Sequence, residues 1–336
     1  MPRSAPAFWR HRGVPALFLL PLSLIFSVLA WVRRRLFAWG VLKAVRLPVP
    51  VVVVGNIAVG GSGKTPVALW LADALRLRGF RPGIVSRGYG GTVEGVAEVD
   101  PVGDPALLGD EPVLMAALSG CPVFVGRDRP AAGRALLAAH PDVNVLIADD
   151  GLQHYRLARD VELVVLDEAT LGNRLPLPAG PLREGVGRVR RSALVLAHGP
   201  LSAGLQAALQ PVPVFSFHLQ GRFFERLADR SERCLPEAFR GRRVHALAGI
   251  GQPERFFRQM EALGLSIERR PFPDHHVFIQ SDLSIPDGDV LLMTEKDAVK
   301  CRAFAPADCW VWPVRVQIAP GAAELIVEKL DGPPTA

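Results

Sequence analysis

The stretch that most constrains the fold runs from Val51 to Leu75, VVVVGNIAVGGSGKTPVALWLADAL. Four consecutive valines favour extended backbone, and with both faces apolar such a strand must be covered on both sides, as in a parallel sheet. Val67, Leu71, Ala74 and Leu75 then fall on one face of a following helix, with Gly79 at its C-terminal cap. A strand, a glycine loop and a helix in that order aim backbone N–H groups and the positive helix end into one small volume, which suits an anion. Gly63, Lys64 and Thr65 match the end of the phosphate-loop pattern G-x-x-x-x-G-K-[ST], whereas Ala58 stands where its first glycine belongs. The segment Ala58, Val59, Gly60, Gly61, Ser62, Gly63, Lys64, Thr65 is therefore the candidate nucleotide cradle. Lys64 would reach the terminal phosphates and Thr65 an Mg2+ ion.

Beyond this unit, apolar strand-like runs such as CPVFVG, VNVLIADD and VELVVLDE alternate with helical patterns. That alternation predicts an α/β fold: a phosphate-loop-containing parallel sheet with helices on both faces. A proline- and glycine-rich stretch from Leu171 to Arg191 interrupts it, and a loop of that length without periodicity reads as functional. A second, smaller α/β unit follows. The expected division is residues 1–48 as an N-terminal membrane-anchoring segment, 49–200 as the nucleotide-binding core, and 201–336 as the smaller C-terminal unit, with its last segment packing back on the core.

The N-terminal segment carries no charge from Val14 to Val32 and is followed at once by Arg33, Arg34 and Arg35. As one helix it would be about 28 Å long, near the hydrocarbon thickness of a bilayer. Pro21 inside the run would kink it, leaving spanning and in-plane insertion both open. Basic residues on the C-terminal flank, with Lys43 and Arg46, agree with a cytoplasmic side, against Arg3, Arg10 and Arg12 on the other. An ATP-binding loop also requires the body of the chain to face the cytoplasm.

With 39 Lys+Arg against 33 Asp+Glu the formal charge is +6, which suits phosphorylated ligands or an acidic membrane. No basic stripe with interleaved aromatics appears, so nucleic acid is not an expected partner. Cys121, Cys234, Cys301 and Cys309 form no C-x-x-C pair and read as free thiols. A phosphate-loop protein needs an acid at the end of a neighbouring strand to hold or orient its metal, and VNVLIADDGLQH supplies Asp149 and Asp150, with Gln153 close behind. The guanine-reading spacing N-K-x-D is absent, since TEKD puts an extra residue between Thr294 and Lys296.

The motifs VGNIAVGGSGKTP, SRGYGG, GDEP, DDGLQH, LPAGPLRE, PDHH and TEKDAVK, in this order after an apolar N-terminal segment, resemble the tetraacyldisaccharide 4'-kinase (lipid A 4'-kinase) family over Val54 to Lys300. The resemblance implies transfer of the γ-phosphoryl group of ATP, with Mg2+, to a sugar hydroxyl of an acylated, phosphorylated disaccharide lipid at the cytoplasmic face of the inner membrane. It implies Asp110 of GDEP as base and His275 of PDHH as its partner. Arg127 and Arg129 of VGRDRP, with Arg183 and Glu184 of GPLRE, become candidates for contacts to phosphates or metal, and planar guanidinium suits such oxygens. Catalytic candidates are thus Asp110, His275, Lys64, Arg127 and Arg183; metal candidates are Thr65, Asp149, Asp150, Gln153 and Glu184. Tyr89 is expected to stack or touch substrate, and Thr294 to Asp297 to line the adenine side. The rival reading is a membrane-associated ATPase switch or partitioning ATPase, which would share the loop and sheet but act through a protein partner.

Overall fold

The structure, a computed structural model, describes residues 6–331. Arg3 and the tail at 332–336 lie outside them. The apolar N-terminal run forms two helices, α1 (Val14–Phe18) and α2 (Leu20–Ala38). The chain continues through β1 (Val51–Gly55), α3 (Lys64–Arg76), β2 (Pro82–Ser86), β3 (Val96–Glu98), α4 (Pro105–Leu108) and α5 (Asp110–Ser119). Next come β4 (Val123–Gly126), α6 (Arg129–Ala139), β5 (Val145–Asp149), β6 (Val161–Leu166), β7 (Leu194–His198), α7 (Ala203–Leu209) and β8 (Val214–Gln220). A second group holds β9 (Phe224–Arg226), β10 (Arg233–Cys234), β11 (Val244–Ala248), α8 (Pro253–Ala262), β12 (Ile267–Pro271), β13 (Val290–Thr294), α9 (Glu295–Cys301) and β14 (Cys309–Trp312). The described chain ends with β15 (Arg315–Ile318) and α10 (Ala322–Asp331).

Nine strands make one sheet in the order β15-β8-β7-β6-β1-β5-β2-β4-β3, parallel from β8 to β4 with an antiparallel strand at each edge. The valine strand β1 lies at its centre, fully buried between β5 and β6, with Val54 opposite Asp149. The helix after the glycines begins and ends as the sequence predicts: Val67, Leu71 and Leu75 are buried, and the Gly79 N–H closes on Arg76. One apolar core packs α3, α5 and α10 on one face, and another packs α6 and α7 on the opposite face. A six-stranded sheet, β10-β9-β14-β13-β11-β12, has its own core around Phe224, Phe257, Trp310 and Trp312.

One element departs from the linear reading. β8, assigned by sequence to the C-terminal unit, extends the large sheet beside β7, because its Phe217 is buried in the large core. After the small sheet the chain returns as β15, which pairs antiparallel with β8.

The N-terminal run is not one unbroken helix. It breaks at Leu19 before Pro21, and α2 carries on through Arg33–Arg35 to Ala38. Among the described residues no helix is long and apolar enough to cross a membrane. One side of the pair is fastened to the body. Ser23, 1 % exposed, accepts from Ala179 N at 2.9 Å and donates to Pro176 O at 3.0 Å, while Trp9 Nε1 donates to Pro178 O at 2.9 Å. Much of its apolar surface faces outward, with Phe18 84 %, Leu24 65 % and Leu29 63 % exposed.

Candidate active site

A cavity of about 500 Å3 opens between the two sheets, at the C-terminal ends of the parallel strands. Its floor is the glycine loop from Val59 to Thr65. Gly60 and Gly63 have φ of 120° and 87°, a region open to glycine but strained for other residues, and Gly63 is the N-cap of α3. The loop is pinned from below: Asn56 Nδ2 donates to Ser62 Oγ at 3.0 Å, and Val59 N to Pro181 O at 2.9 Å. Across the cavity, the loop after β11 reaches close enough that a Cβ on Gly251 would lie 3.4 Å from Gly61 N.

Lys64 lies 3.8 Å from Asp150 Oδ1, and Arg183 Nη1 contacts both Asp150 oxygens at 3.1 Å. Asp150 itself has a φ of 46°, so the turn after β5 is bent sharply to present it. Burial raises its pKa, and the charges of Lys64 and Arg183 overcome this and hold it below the ordinary value. Asp149 is the opposite case. It is 1 % exposed, and among the described residues its Oδ1 has no hydrogen-bond partner and its Oδ2 meets Ser86 Oγ at 3.5 Å. Burial, then repulsion from Glu111 and Asp150, pushes its pKa up to about 7.

The five candidate metal ligands are not gathered into one cluster, and among the described residues no group of three or more His, Cys, Asp or Glu side chains is arranged to hold a metal. Glu184 is buried behind the site, where it accepts from Gln153 Nε2 at 3.1 Å, Tyr155 OH at 2.7 Å and Arg34 Nη1 at 3.1 Å. Gln153 is similarly spent on Asn56 O at 3.0 Å. The unpartnered Oδ1 of Asp149, at the end of the strand beside β1 and within electrostatic reach of Lys64, nevertheless fits Mg2+, which takes one or two carboxylates and completes its shell with phosphate oxygens and water.

The second half of the site comes from the small sheet. His275 Nδ1 lies 3.0 Å from Asp110 Oδ2, a contact between residues 165 positions apart. Asp110 is the first residue of α5 behind the cap Gly109, and only 5 % exposed; His275 lines the cavity. His275, like Asp150, has positive φ, 58°. Its ring meets Tyr89 edge-on with centroids 5.1 Å apart, so Tyr89 packs on the histidine at the cavity wall. Burial disfavours the Asp110 carboxylate, but the His275 hydrogen bond and the Lys296 charge bring its pKa down to about 2. His275 is shifted up, first by that hydrogen bond, against burial and the Lys296 charge.

The other expectations are placed differently. Arg127 is exposed at the end of β4, outside the cavity lining, with no partner among the described residues. Arg129 is 2 % exposed and donates to Gly126 O at 3.2 Å and Asp149 O at 2.9 Å, so it fastens strand ends rather than meeting a ligand. Thr294, Glu295 and Lys296 line the cavity, whereas Asp297 is fully buried and accepts from Gly249 N at 3.0 Å. The sequence reading missed Arg255, which crosses from α8 to donate to Asp167 Oδ2 and His198 Nδ1, each at 2.8 Å. A signal existed: VELVVLDE, like VNVLIADD, is an apolar strand ending in an acid, and the two flank β1.

Residues 15–331 match the Tetraacyldisaccharide-1-P 4'-kinase family. The chain is 60% identical to the tetraacyldisaccharide 4'-kinase of Aromatoleum aromaticum, covering 100% of both chains, and 58% identical to that of an Azoarcus species, covering 97% of this chain and 95% of that one. The crystal structure of LpxK from Aquifex aeolicus in complex with ATP matches with a TM-score of 0.79 at 29% identity, over 94% of this chain and 100% of that one. A match that spans the whole chain in this way makes it a member of the tetraacyldisaccharide 4'-kinase family.

Proposed function

We propose that this kinase transfers the γ-phosphoryl group of ATP to the 4'-hydroxyl of a tetraacylated disaccharide 1-phosphate, in the synthesis of lipid A. The observation that carries the mechanism is the Asp110–His275 contact at the wall of the cavity whose floor is the glycine loop. ATP lies along that floor, its phosphates on the loop amides and on Lys64, with Arg183 beside Asp150. Positioning of this kind accounts for roughly 7–11 kcal/mol of barrier lowering. Thr65 and Asp149 are the residues that would hold Mg2+, which when bound neutralises charge on the transferring phosphoryl group.

The acceptor hydroxyl needs a proton acceptor. A carboxylate with a pKa near 2 is a poor one alone, and Asp110 is screened from the cavity by His275. The two therefore act as a unit. His275 takes the proton on Nε2, and Asp110 fixes Nδ1–H and stabilises the imidazolium, a form of general-base help that contributes about 10²–10⁴ in rate. This refines the expectation that Asp110 itself is the base.

The acceptor is a lipid, and α1 and α2 offer a matching surface. They are fastened to the body on one side and present exposed apolar side chains on the other, followed by three arginines. One-sided exposure favours insertion in the plane of the interface, at the cytoplasmic face of the inner membrane, where the enzyme meets its substrate by lateral encounter. Incubation with labelled ATP, Mg2+ and detergent-dispersed acylated disaccharide 1-phosphate tests the assignment. Labelled lipid product supports it, and hydrolysis without transfer supports the ATPase switch instead.

A further inference from the structure

Lys296, second residue of α9, puts its ammonium among carboxylates from separate parts of the chain: Glu111 Oε1 at 3.0 Å, Asp274 Oδ1 at 3.2 Å and Asp110 Oδ2 at 3.7 Å. Asp110 and Glu111 start α5 on the large-sheet side, and Glu111 is 185 positions away. Asp274 immediately precedes His275 on the small-sheet side. The lysine side chain is 17 % exposed and lines the cavity. Its backbone is held firmly. Thr294 Oγ1 donates to Asp297 Oδ2 at 2.7 Å and accepts from Asp297 N at 3.2 Å, closing the first turn of α9, while Asp297 accepts from Gly249 N at the end of β11.

Without this ammonium, the carboxylates of Asp110, Glu111 and Asp274 would face one another, and the incoming triphosphate, without the counter-charge they share. Like charges at such spacing repel strongly in a half-buried site. We propose that Lys296 is a positioning residue for phosphoryl transfer: it joins the end of α5 that carries Asp110 to the loop that carries His275, and holds the pair at hydrogen-bond distance when nucleotide fills the cavity. The proposal rests on the reading that Asp110 and His275 together take the acceptor's proton.

The test compares Lys296→Met, Lys296→Arg, Asp110→Asn and His275→Gln in the labelled-lipid assay, with binding of a fluorescent ATP analogue and thermal unfolding measured alongside. The groups that act on His275 are Asp110 from α5, Lys296 from α9 and Asp274 from its own loop, with the Tyr89 ring packed against it. Misplacement of a reacting group by about 1 Å costs on the order of 100-fold, so Lys296→Met should lower kcat by about 10- to 100-fold with little change in nucleotide affinity. Its acid limb in the kcat–pH profile should move to higher pH, because an ammonium that disfavours imidazolium is gone. Lys296→Arg should recover most of kcat with the acid limb unmoved, and it carries the test should Lys296→Met fold poorly. Wild-type kcat in Lys296→Met, with His275→Gln inactive, overturns the proposal alone. So does a loss of kcat with an unmoved acid limb and no recovery by arginine, the signature of general structural damage. Full turnover in both Asp110→Asn and His275→Gln overturns the proton-transfer reading beneath it.

Discussion

Arg34 Nη1 donates to Glu184 Oε2 at 3.1 Å, tying the N-terminal helix to the loop beside the phosphate cradle. From there Gln153 donates to Glu184, Arg183 to Gln153 and to Asp150, and Asp150 faces Lys64. The Glu184 side chain is 6 % exposed and also serves Tyr155 and Arg188. Replacing it with alanine leaves Arg34 and part of Arg188 without a counter-charge, so Glu184→Ala should lose about 3 kcal/mol of stability. Arg34→Ala, whose side chain is more exposed, should lose less. Chemical denaturation of both variants checks the order.

Membrane attachment should depend on the outward apolar side chains and not on the fold of the body. Phe18, Leu24 and Leu29 together replaced by serine should leave the unfolding transition nearly unchanged. The same variant should fail to float with vesicles of acidic phospholipid, where the unaltered chain co-floats. Equal flotation of the two would reject in-plane insertion by α1 and α2.

Asp149 should govern metal dependence. Burial and the charges of Glu111 and Asp150 outweigh those of Lys64 and Arg129 at Asp149, so Asp149→Asn should be at least as stable as the parent at pH 8 without Mg2+. With ATP present in both, added Mg2+ should further raise the melting temperature of the parent but not of the variant, read by thermal denaturation.

Acid should weaken the contact between the two sheets at Asp167. Burial alone raises its pKa, but His198 and Arg255 bring it down to about 2 from the ordinary 3.8. A depressed carboxylate contributes stability above its unfolded value and loses it as pH falls, here between about 4 and 2. The contribution is about 2 kcal/mol for a shift of this size. Arg255→Met should flatten that part of the stability–pH curve, measured by urea unfolding from pH 5 to pH 2.

Much of this was legible in the chain because it is written in short range. The valine strand, the glycine loop, α3 with its Gly79 cap and the acids after β5 follow from local pattern, since periodicity and turn chemistry act over a few residues. The Asp110–His275 pairing was reached through resemblance, not spacing. What escaped are contacts between distant segments: Lys296 with Glu111, Arg255 with Asp167, Arg34 with Glu184. A lone basic residue carries no mark of which acid it will meet. Glu184 was a candidate for phosphate or metal contact from its place in GPLRE, and Gln153 from its place after the two acids of DDGLQH; the bonds that occupy Glu184, from Tyr155 and Arg34 of the N-terminal helix, come from segments the local pattern does not bring near.

The return of the chain as β15 has a consequence for how the molecule comes apart. The whole small sheet is spliced into the large one between two antiparallel neighbours, β8 and β15, and α10 then packs on α3. Clipping the chain after Trp312 would strip away that outer strand, bare the backbone amides of β8 and leave Phe217 poorly covered. A truncated product would be prone to stick to other copies along the raw margin, even with every residue of the cavity still in the chain.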